Sequence, residues 1–256
     1  MVNEAVAVVT GGAGHIGRAI CSALMAQGYT VVSCGRRQPA EPIQSGDRSV
    51  HFIAADIREP EQSQRVIDET LSHFGRIDLL VNNAGGSPPV DASSASPGLT
   101  AKIIALNLTA PLVLAQQAYE ALYNPSCPGH IVNIASVSGA RPSPGTVAYG
   151  AAKAGLLSAT KSLAMEWGPG IRVNSLIVGL VHHEAGIEHY GGEAGFQRVA
   201  NMLPMRRMAQ PSDIASAVLM LDSEASSYIS GATLEVDGGG EVPVFLHLAR
   251  ELSGKP

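Results

Sequence analysis

The chain has 256 residues, of which 45% are hydrophobic and 15% are charged, and its formal net charge at pH 7 is −5. A chain of this length and apolar content can bury one large α/β core, so we expect a single domain over residues 1–256. The negative charge gives no electrostatic reason to expect a nucleic acid or an anionic membrane as a partner.

The first strand and the first helix flank a glycine-rich turn. An apolar strand is predicted near residues 5–9, and an apolar-periodic helix follows the turn. The turn contains Gly11, Gly14, His15, Ile16 and Gly17. This order of strand, glycine-rich loop and helix predicts a binding site for the pyrophosphate of a dinucleotide at the turn and the helix amino terminus. Gly17 would allow the helix to pack closely on the strand. An ordinary turn between strand and helix is the alternative for this stretch taken alone.

The second strand, near residues 30–34, ends in Gly35, Arg36 and Arg37. In many dinucleotide sites a carboxylate at this strand end binds the ribose hydroxyls of NAD and would repel a 2′-phosphate. This strand end carries guanidinium groups instead, and a guanidinium suits a phosphate dianion in charge and geometry. The sequence therefore predicts NADP(H), with NAD as the alternative, and Arg36 is the first candidate for the phosphate contact. Two exposed arginines without a ligand are the other interpretation.

Asparagines mark the middle of the chain. The strand near residues 78–82 runs into Asn83, Ala84 and Gly85, and Asn107 falls inside a helical pattern. Asparagine competes for backbone hydrogen bonds within a helix, so Asn107 either distorts its helix or serves something nearby, such as a bound water.

Ser136, Tyr149 and Lys153 predict a proton-transfer site. Ser136 ends the apolar strand near residues 130–135, and Lys153 lies one helical turn beyond Tyr149, so the two side chains share a helix face. A free tyrosine titrates near ~10, and an adjacent cation favours the phenolate and lowers the pKa. We therefore expect Tyr149 to act as an acid or base with a lowered pKa.

The order of elements predicts the fold. Strands and helices alternate, with strands near 5–9, 30–34, 50–54, 78–82, 130–135, 171–177 and 232–236. Such alternation predicts a parallel sheet with right-handed crossovers, flanked by helices, and ligands then bind at the carboxyl ends of the strands.

Taken together, these motifs resemble the short-chain dehydrogenase/reductase family, and the resemblance runs from about Val6 to Gly239. It implies a Rossmann-type doubly wound fold with a seven-stranded parallel sheet. It also implies hydride transfer between NADP(H) and a secondary alcohol or ketone, such as a 3-oxoacyl thioester or a bulky cyclic ketone. Members of this size are usually homotetramers.

The resemblance also implies residue roles. Tyr149 would be the general acid/base, Lys153 would hold the nicotinamide ribose, Ser136 would orient the substrate oxygen, and Asn107 would support a water-mediated proton relay. The further cofactor-binding positions that it implies are Asp56, Ile57, Asn83, Ala84, Gly85, Gly179 and Val181.

Three positions depart from the family pattern. His15 stands where compact members usually carry a glycine, and the turn spacing fits that of longer, sugar-modifying members. Because the chain ends at Pro256, we expect the compact type. Val178 replaces a common proline, and His183 replaces a threonine that often touches the nicotinamide carboxamide. Val178 and His183 leave open an alternative function, a sensor or scaffold that binds NAD(P) without turnover.

Several expectations concern the remaining segments. Residues 180–205 are expected to form a lid over the substrate, and 241–256 a carboxyl-terminal tail. The three cysteines lack Cys-x-x-Cys spacing, as in reduced cytosolic proteins. The amino terminus lacks a leader pattern and no uninterrupted apolar run reaches ~18 residues, so we expect a cytoplasmic protein without a membrane span. The histidines near residue 183 lack zinc spacing, and we expect no metal.

Overall fold

The structure, a computed structural model, describes residues 4–253, apart from six side chains. Those six belong to Glu184, Ala185, His189, His247, Arg250 and Glu251. The predicted start of the chain at residues 1–3 and the end of the predicted tail at 254–256 lie outside the described residues.

Seven parallel strands form one sheet, which confirms the predicted fold class. The strands are β1 (Val6–Thr10), β2 (Thr30–Gly35), β5 (His51–Ala54), β6 (Leu79–Asn82), β7 (Gly129–Ser136), β8 (Ile171–Val178) and β9 (Thr233–Val236). Their spatial order is β5-β2-β1-β6-β7-β8-β9, and every neighbouring pair is parallel. The chain winds outward from β1 to β5 and then returns to β6. The switch point, where ligands bind in such sheets, therefore lies between β1 and β6.

A small hairpin that the sequence pattern did not predict lies between β2 and β5. It consists of β3 (Gln44–Ser45) and β4 (Arg48–Ser49), which pair in antiparallel fashion. Its two-residue strands are too short to produce a periodic apolar pattern.

Helices cover both faces of the sheet. They are α1 (His15–Ala26), α2 (Pro60–Phe74), α3 (Pro97–Ile104), α4 (Ala110–Gln117), α5 (Tyr119–Leu122), α6 (Val137–Ala140), α7 (Val147–Trp167), α8 (Glu184–His189), α9 (Glu193–Met202), α10 (Pro211–Asp222) and α11 (Val244–Ser253). The predicted lid segment contains α8 and α9, and the predicted tail contains α11.

Two apolar clusters form the core, one on each face of the sheet. Val6 and Val8 of β1 belong to one cluster and Ala7 and Val9 to the other, because successive side chains of a strand point to opposite faces. Helices α1 and α10 cover the second cluster, and α2 and α4 cover the first. Both faces are buried, which explains why the strands read as continuous apolar runs.

The segment Pro97–Gln117 is long and apolar enough to cross a membrane by length and composition, with a mean hydropathy of 1.6. Polar residues such as Lys102 and Asn107 interrupt the segment, so it is not an uninterrupted apolar run, and the absence of a membrane span stays a prediction. The segment comprises α3, a π-helical turn and α4. In the fold it packs on α7 and α2 and buries Ile103 and Leu114. Its apolar residues therefore belong to the layer of helices that covers one face of the sheet.

A buried polar network lies at the amino ends of the strands. The His130 Nδ1 and the Asp222 Oδ1 are 2.9 Å apart, and the Tyr29 hydroxyl donates to the other Asp222 oxygen at 2.6 Å. The Asn174 amide nitrogen lies 3.1 Å from the His130 Nε2. Because that amide nitrogen can only donate, Nε2 accepts and the imidazole is neutral with its proton on Nδ1. Burial lowers the pKa of His130, although Asp222 favours the charged form.

This network predicts a loss of stability in mild acid. Below the ordinary histidine pKa of 6.5, the unfolded chain binds a proton that the folded chain excludes. The free energy of unfolding should therefore fall as the pH drops from 7 to 5, by up to about 1.4 kcal/mol per pH unit. We expect His130→Asn to flatten this dependence relative to the wild type. The urea midpoints of unfolding at pH 7 and at pH 5 measure this dependence.

The exposed His73 provides the matched control. His73→Gln should keep the wild-type dependence on pH. A wild-type midpoint that stays constant between pH 7 and pH 5 would contradict the assignment of a neutral His130.

Candidate active site

The glycine-rich turn between β1 and α1 requires its glycines. Gly11 has a φ of +67° and donates its N–H to the Cys34 carbonyl at 2.8 Å. A Cβ on Gly17 would lie 2.3 Å from the Gly11 oxygen, so no side chain fits there. At Gly14 the nearest such contact is 3.4 Å, and this glycine faces the open side of the turn. The sequence-based interpretation of Gly17 as a packing glycine agrees with this geometry.

Thr10, at the end of β1, connects this turn to the end of β6. The Thr10 hydroxyl accepts hydrogen bonds from the backbone N–H of Asn83 at 3.0 Å and of Ala84 at 2.9 Å. The Asn83 side chain donates back to the Thr10 carbonyl at 2.8 Å. Sequence reasoning missed Thr10, although a hydroxyl residue at the last strand position before the glycines was visible.

A cleft of about 480 Å³ opens at the switch point of the sheet. It brings together most of the predicted cofactor residues: Gly11, Gly14, His15, Ile16, Gly17, Arg36, Asp56, Ile57, Asn83, Ala84, Gly85 and Val181. Residues that the sequence analysis did not assign to it are Cys34, Gly35, Ala55, Arg58, Leu106, His182 and His183. A side-chain-free turn, a helix amino terminus and flanking guanidinium groups fit the pyrophosphate and nucleoside of a dinucleotide.

Four predicted cofactor residues do not line this cleft: Arg37, Tyr149, Lys153 and Gly179. Arg37 follows the end of β2 and is exposed outside the cleft. Gly179 donates its N–H to Val236, and a Cβ on Gly179 would lie 2.7 Å from the Asp237 Cα. Gly179 therefore serves the packing of β8 on the end of β9.

The part of the cleft beside the end of β5 contains an ion pair that sequence reasoning did not find. Arg58 binds both carboxylate oxygens of Asp56, at 2.9 and 2.5 Å. This pairing lowers the pKa of Asp56, and the positive charge of Arg36 acts in the same direction. The carboxylate is thus neutralised within the cleft. Because Arg58 follows Asp56 by only two residues, the pairing depends on the turn that ends β5.

Asn107 explains the π-helical turn Ala105–Thr109. Its side-chain nitrogen donates to the carbonyls of Ile103 and Gly86, both at 2.9 Å, and its Oδ1 accepts from the Gly86 N–H at 2.8 Å. Both roles considered in the sequence analysis therefore apply to Asn107. It distorts its own helix, and it forms hydrogen bonds to the backbone of Gly86. The water relay stays a prediction.

Ser136, Tyr149 and Lys153 meet beside the cleft. The Ser136 hydroxyl is hydrogen-bonded to the Tyr149 phenol, and the Lys153 Nζ lies 5.7 Å from the centre of the Tyr149 ring. Nζ donates to the Ile134 carbonyl at 2.7 Å. A Cβ on Gly85 would lie 3.2 Å from Nζ and 2.7 Å from the Asn107 Oδ1, so these groups converge on one point at the end of β6.

The pKa directions differ from the sequence expectation for Tyr149. Burial raises the pKa of Tyr149, and the hydrogen bond from Ser136 offsets only part of this rise. Burial also lowers the pKa of Lys153 to about 8. The predicted lowering by Lys153 does not occur, since burial dominates the pKa of the phenol and Nζ donates to a backbone carbonyl. The phenol therefore keeps its proton at neutral pH.

Among the residues whose side chains the structure describes, no group of three or more histidine, cysteine or acidic side chains could hold a metal ion.

Comparisons with known proteins agree with this geometry. A family model described as enoyl-(acyl carrier protein) reductase matches residues 11–241. An acetoacetyl-CoA reductase from Acinetobacter is 33% identical over 248 residues, covering 93% of this chain and 98% of the relative. A D-threitol dehydrogenase from Mycolicibacterium smegmatis is 35% identical over 240 residues, covering 91% and 92%.

A solved structure shares the fold closely. It is a single-site variant of actinorhodin polyketide ketoreductase with NADPH, and it superposes with a TM-score of 0.85 at 27% identity. The match covers 93% of this chain and 97% of that chain.

The buried ammonium predicts a stability cost at this site. The side chain of Lys153 is 3% exposed, and a pKa of about 8 means that burial disfavours its charge at pH 7. Lys153→Met keeps a similar length without the charge, although it leaves the Ile134 carbonyl unpaired. We expect this variant to raise the free energy of unfolding at pH 7 by on the order of 1–2 kcal/mol.

Urea unfolding of the wild type and the variant at pH 7 measures this difference. The wild type should gain stability between pH 8 and pH 10, as the folded lysine loses its proton, and the methionine variant should gain less. If the variant unfolds at a lower urea concentration than the wild type at pH 7, burial of the Lys153 charge does not lower the free energy of unfolding.

Proposed function

The chain belongs to the short-chain dehydrogenase/reductase family, and from that premise we propose that it transfers a hydride between NADP(H) and a secondary alcohol or ketone. One observation carries the proposal: the hydrogen-bonded hydroxyls of Ser136 and Tyr149 lie with the Lys153 ammonium, which is next to Gly85 in the lining of the cleft. A carbonyl needs such donors where negative charge develops.

Each side chain has a distinct task in ketone reduction. The bound nicotinamide supplies the hydride. The Tyr149 phenol, protonated at neutral pH, donates its proton to the substrate oxygen, and the Ser136 hydroxyl orients that oxygen. The Lys153 ammonium stabilises the phenolate that remains, because both groups lie in a site of low polarity. In alcohol oxidation the same groups move the proton in reverse.

Charge at the adenine end of the cleft supports NADP(H) over NAD(H). Arg36 lines the cleft, and the acidic side chain Asp56 is paired with Arg58. A 2′-phosphate would therefore meet a guanidinium without an unpaired carboxylate beside it. The ketoreductase described above is named with NADPH, which agrees with this proposal.

The substrate class we propose is a 3-oxoacyl thioester or a bulky cyclic ketone. A pocket of about 310 Å³ borders the residue before Tyr149, and its lining is mainly apolar: Val90, Ala92, Ala95, Ile103, Ile104, Val147, Ala148 and Ala151. Such a lining suits an acyl chain or a ring better than a polyol. The name of the acetoacetyl-CoA reductase supports the thioester, whereas that of the threitol dehydrogenase does not.

The alternative is a sensor or scaffold that binds the dinucleotide without turnover. It was motivated by Val178 and His183. Val178 is 5% exposed and packs in the core at the end of β8, so its replacement of a proline leaves the cleft unaffected. Only His183 still favours this alternative. The cytoplasmic location and the homotetramer stay predictions.

Tyr149→Phe tests the catalytic proposal. The ring is kept and the proton is lost, so we expect kcat to fall by roughly 10²-fold or more while NADPH binding stays within a few fold. Turnover is measured by NADPH consumption with a panel of 3-oxoacyl thioesters, cyclic ketones and sugars, and binding by NADPH fluorescence. Tyr123→Phe, at an exposed position, is the control. Near-normal turnover by Tyr149→Phe would remove this residue from its role. Inactivity of the wild type on the whole panel with tight NADPH binding would favour the sensor.

Substitution of the two strand-end arginines tests the cofactor proposal. Arg36→Ser should lower kcat/KM for NADPH by about tenfold or more, equivalent to ~1.4 kcal/mol, with little change for NADH. Arg37→Ser is the matched control, because Arg37 lies outside the cleft, and it should change both values by less than the Arg36 variant. A tenfold preference of the wild type for NADH would contradict the proposal.

A further inference from the structure

The two hydroxyls of the proposed active site lie on either side of one short segment. Ser136 ends β7 and caps α6, where its Oγ accepts a hydrogen bond from the Ser138 N–H at 3.2 Å. Tyr149 lies in the first turn of α7, and residues 141–146 connect α6 to that helix. The separation of the Ser136 and Tyr149 oxygens therefore depends on how this connecting segment is held.

Backbone contacts bring α6 directly against α7. A Cβ on Gly139 would lie 2.7 Å from the Lys153 carbonyl carbon and 2.8 Å from the Ala154 nitrogen. A Cβ on Gly150 would lie 2.8 Å from the Ser138 carbonyl oxygen. Neither position has room for a side chain, so the two helices touch through their backbones. This packing sets the distance between the helices, and the polar contacts of the connecting segment set how their ends meet.

A chain of three hydroxyls spans the connecting segment. The Ser143 Oγ donates to the Ser138 Oγ at 3.0 Å, and it lies 2.6 Å from the Thr146 Oγ1. A hydroxyl has one proton to donate, and that of Ser143 goes to Ser138, so Thr146 is the donor in the second bond. Thr146 is the residue at which α7 begins. Ser143 therefore joins the residue whose N–H holds Ser136 to the residue that starts the helix of Tyr149.

The connecting segment has little other support on its outer side. There it borders a cavity of about 780 Å³, whose lining includes Ser138 and Ser143. Ser143 is half-buried, between the exposed residues Pro142 and Pro144. The guanidinium of Arg141 is directed away from the hydroxyl chain, since it binds the carboxylate of Glu241 in the tail. The position of the segment thus depends on its own hydrogen bonds.

We propose that Ser143 is a positioning residue for proton transfer, which keeps Ser136 within hydrogen-bond distance of Tyr149 by joining Ser138 to Thr146. The inference rests on the proposed function, because it takes the two hydroxyls as the groups that meet the substrate oxygen. It adds a residue that neither the sequence pattern nor the family resemblance indicated. Ser143 acts through its neighbours. Without its hydroxyl, the segment can move towards the cavity, and the hydroxyl of Ser136 then loses its alignment.

Ser143→Ala tests this role through turnover and cofactor binding. We expect kcat for ketone reduction to fall about tenfold, because small misplacements of reacting groups are costly. The NADPH Kd, measured by fluorescence, should stay within about twofold, since residues 141–146 do not line the cofactor cleft. Ser143→Thr keeps the hydroxyl and should restore most of the turnover.

The pH profile separates a positioning role from a general loss of stability. The hydrogen bond from Ser136 lowers the pKa of Tyr149. Its loss in Ser143→Ala should therefore move the high-pH limb of kcat/KM for ketone reduction to higher pH. Lys153, the charged group described beside the Tyr149 ring, is the same in both proteins, so the difference between their profiles reports on the phenol.

Two further variants complete the test. Ser162→Ala removes an exposed hydroxyl from the far end of the same helix and should keep the wild-type kcat and pH profile. Thr146→Val removes the next hydroxyl of the chain and should lower kcat as Ser143→Ala does. The double variant Ser143→Ala/Thr146→Val should be no slower than either single variant, because all three break the same connection. Urea midpoints show that each variant is folded at the assay temperature.

The outcomes distinguish this inference from the function on which it depends. A wild-type kcat with an unchanged pH limb in Ser143→Ala would overturn the positioning role and leave the oxidoreductase proposal standing. A loss of kcat that Ser143→Thr does not restore would also count against it. Near-normal turnover by Tyr149→Phe would overturn the proposed proton transfer and this inference with it.

Discussion

The candidate active site depends on one buried ammonium group. The Lys153 Nζ is held by the Ile134 carbonyl beside the Tyr149 ring, and a Cβ on Gly85 would crowd it at 3.2 Å. The same glycine lies against the Asn107 Oδ1, whose amide is fixed by the backbone of Gly86. The end of β6, the π-helical turn and α7 are therefore assembled around a single charge. Burial of that charge opposes folding, and the surrounding apolar core must offset it.

The sequence was sufficient for the features that depend on local pattern. All seven sheet strands were predictable because both faces of the sheet are buried, and the packing role of Gly17 followed from the strand–turn–helix order. The pairing of Arg58 with Asp56 and the contact between His15 and His183 were not predictable, since each depends on where chain segments meet in space. The pKa of Tyr149 was predicted in the wrong direction because the helical spacing showed the neighbouring cation and not the depth of burial.

The part of the cleft beside the end of β5 shows how a neighbouring side chain changes the electrostatic effect of a charged residue. An aspartate in a dinucleotide cleft would ordinarily oppose a further phosphate. Here Arg58 occupies both oxygens of Asp56, and Arg36 adds a second positive charge nearby. The carboxylate then orients a guanidinium instead of presenting free charge. The proposed preference for NADP(H) thus rests on three residues from two strand ends, of which Arg58 was not predicted from the sequence.

Two buried polar clusters at opposite ends of the sheet show why chemistry belongs to one of them. At the amino ends, the Asp222 oxygens take partners from His130 and Tyr29, and His130 has a partner on each ring nitrogen. A cluster satisfied in this way stabilises one conformation and leaves little capacity for a ligand. At the carboxyl ends, the described contacts of Lys153 use one of its three donors, and the Tyr149 phenol has a proton to give. A reacting carbonyl requires unused hydrogen-bonding capacity beside a cleft, so the same physical accounting that makes the first cluster structural supports the catalytic role proposed for the second.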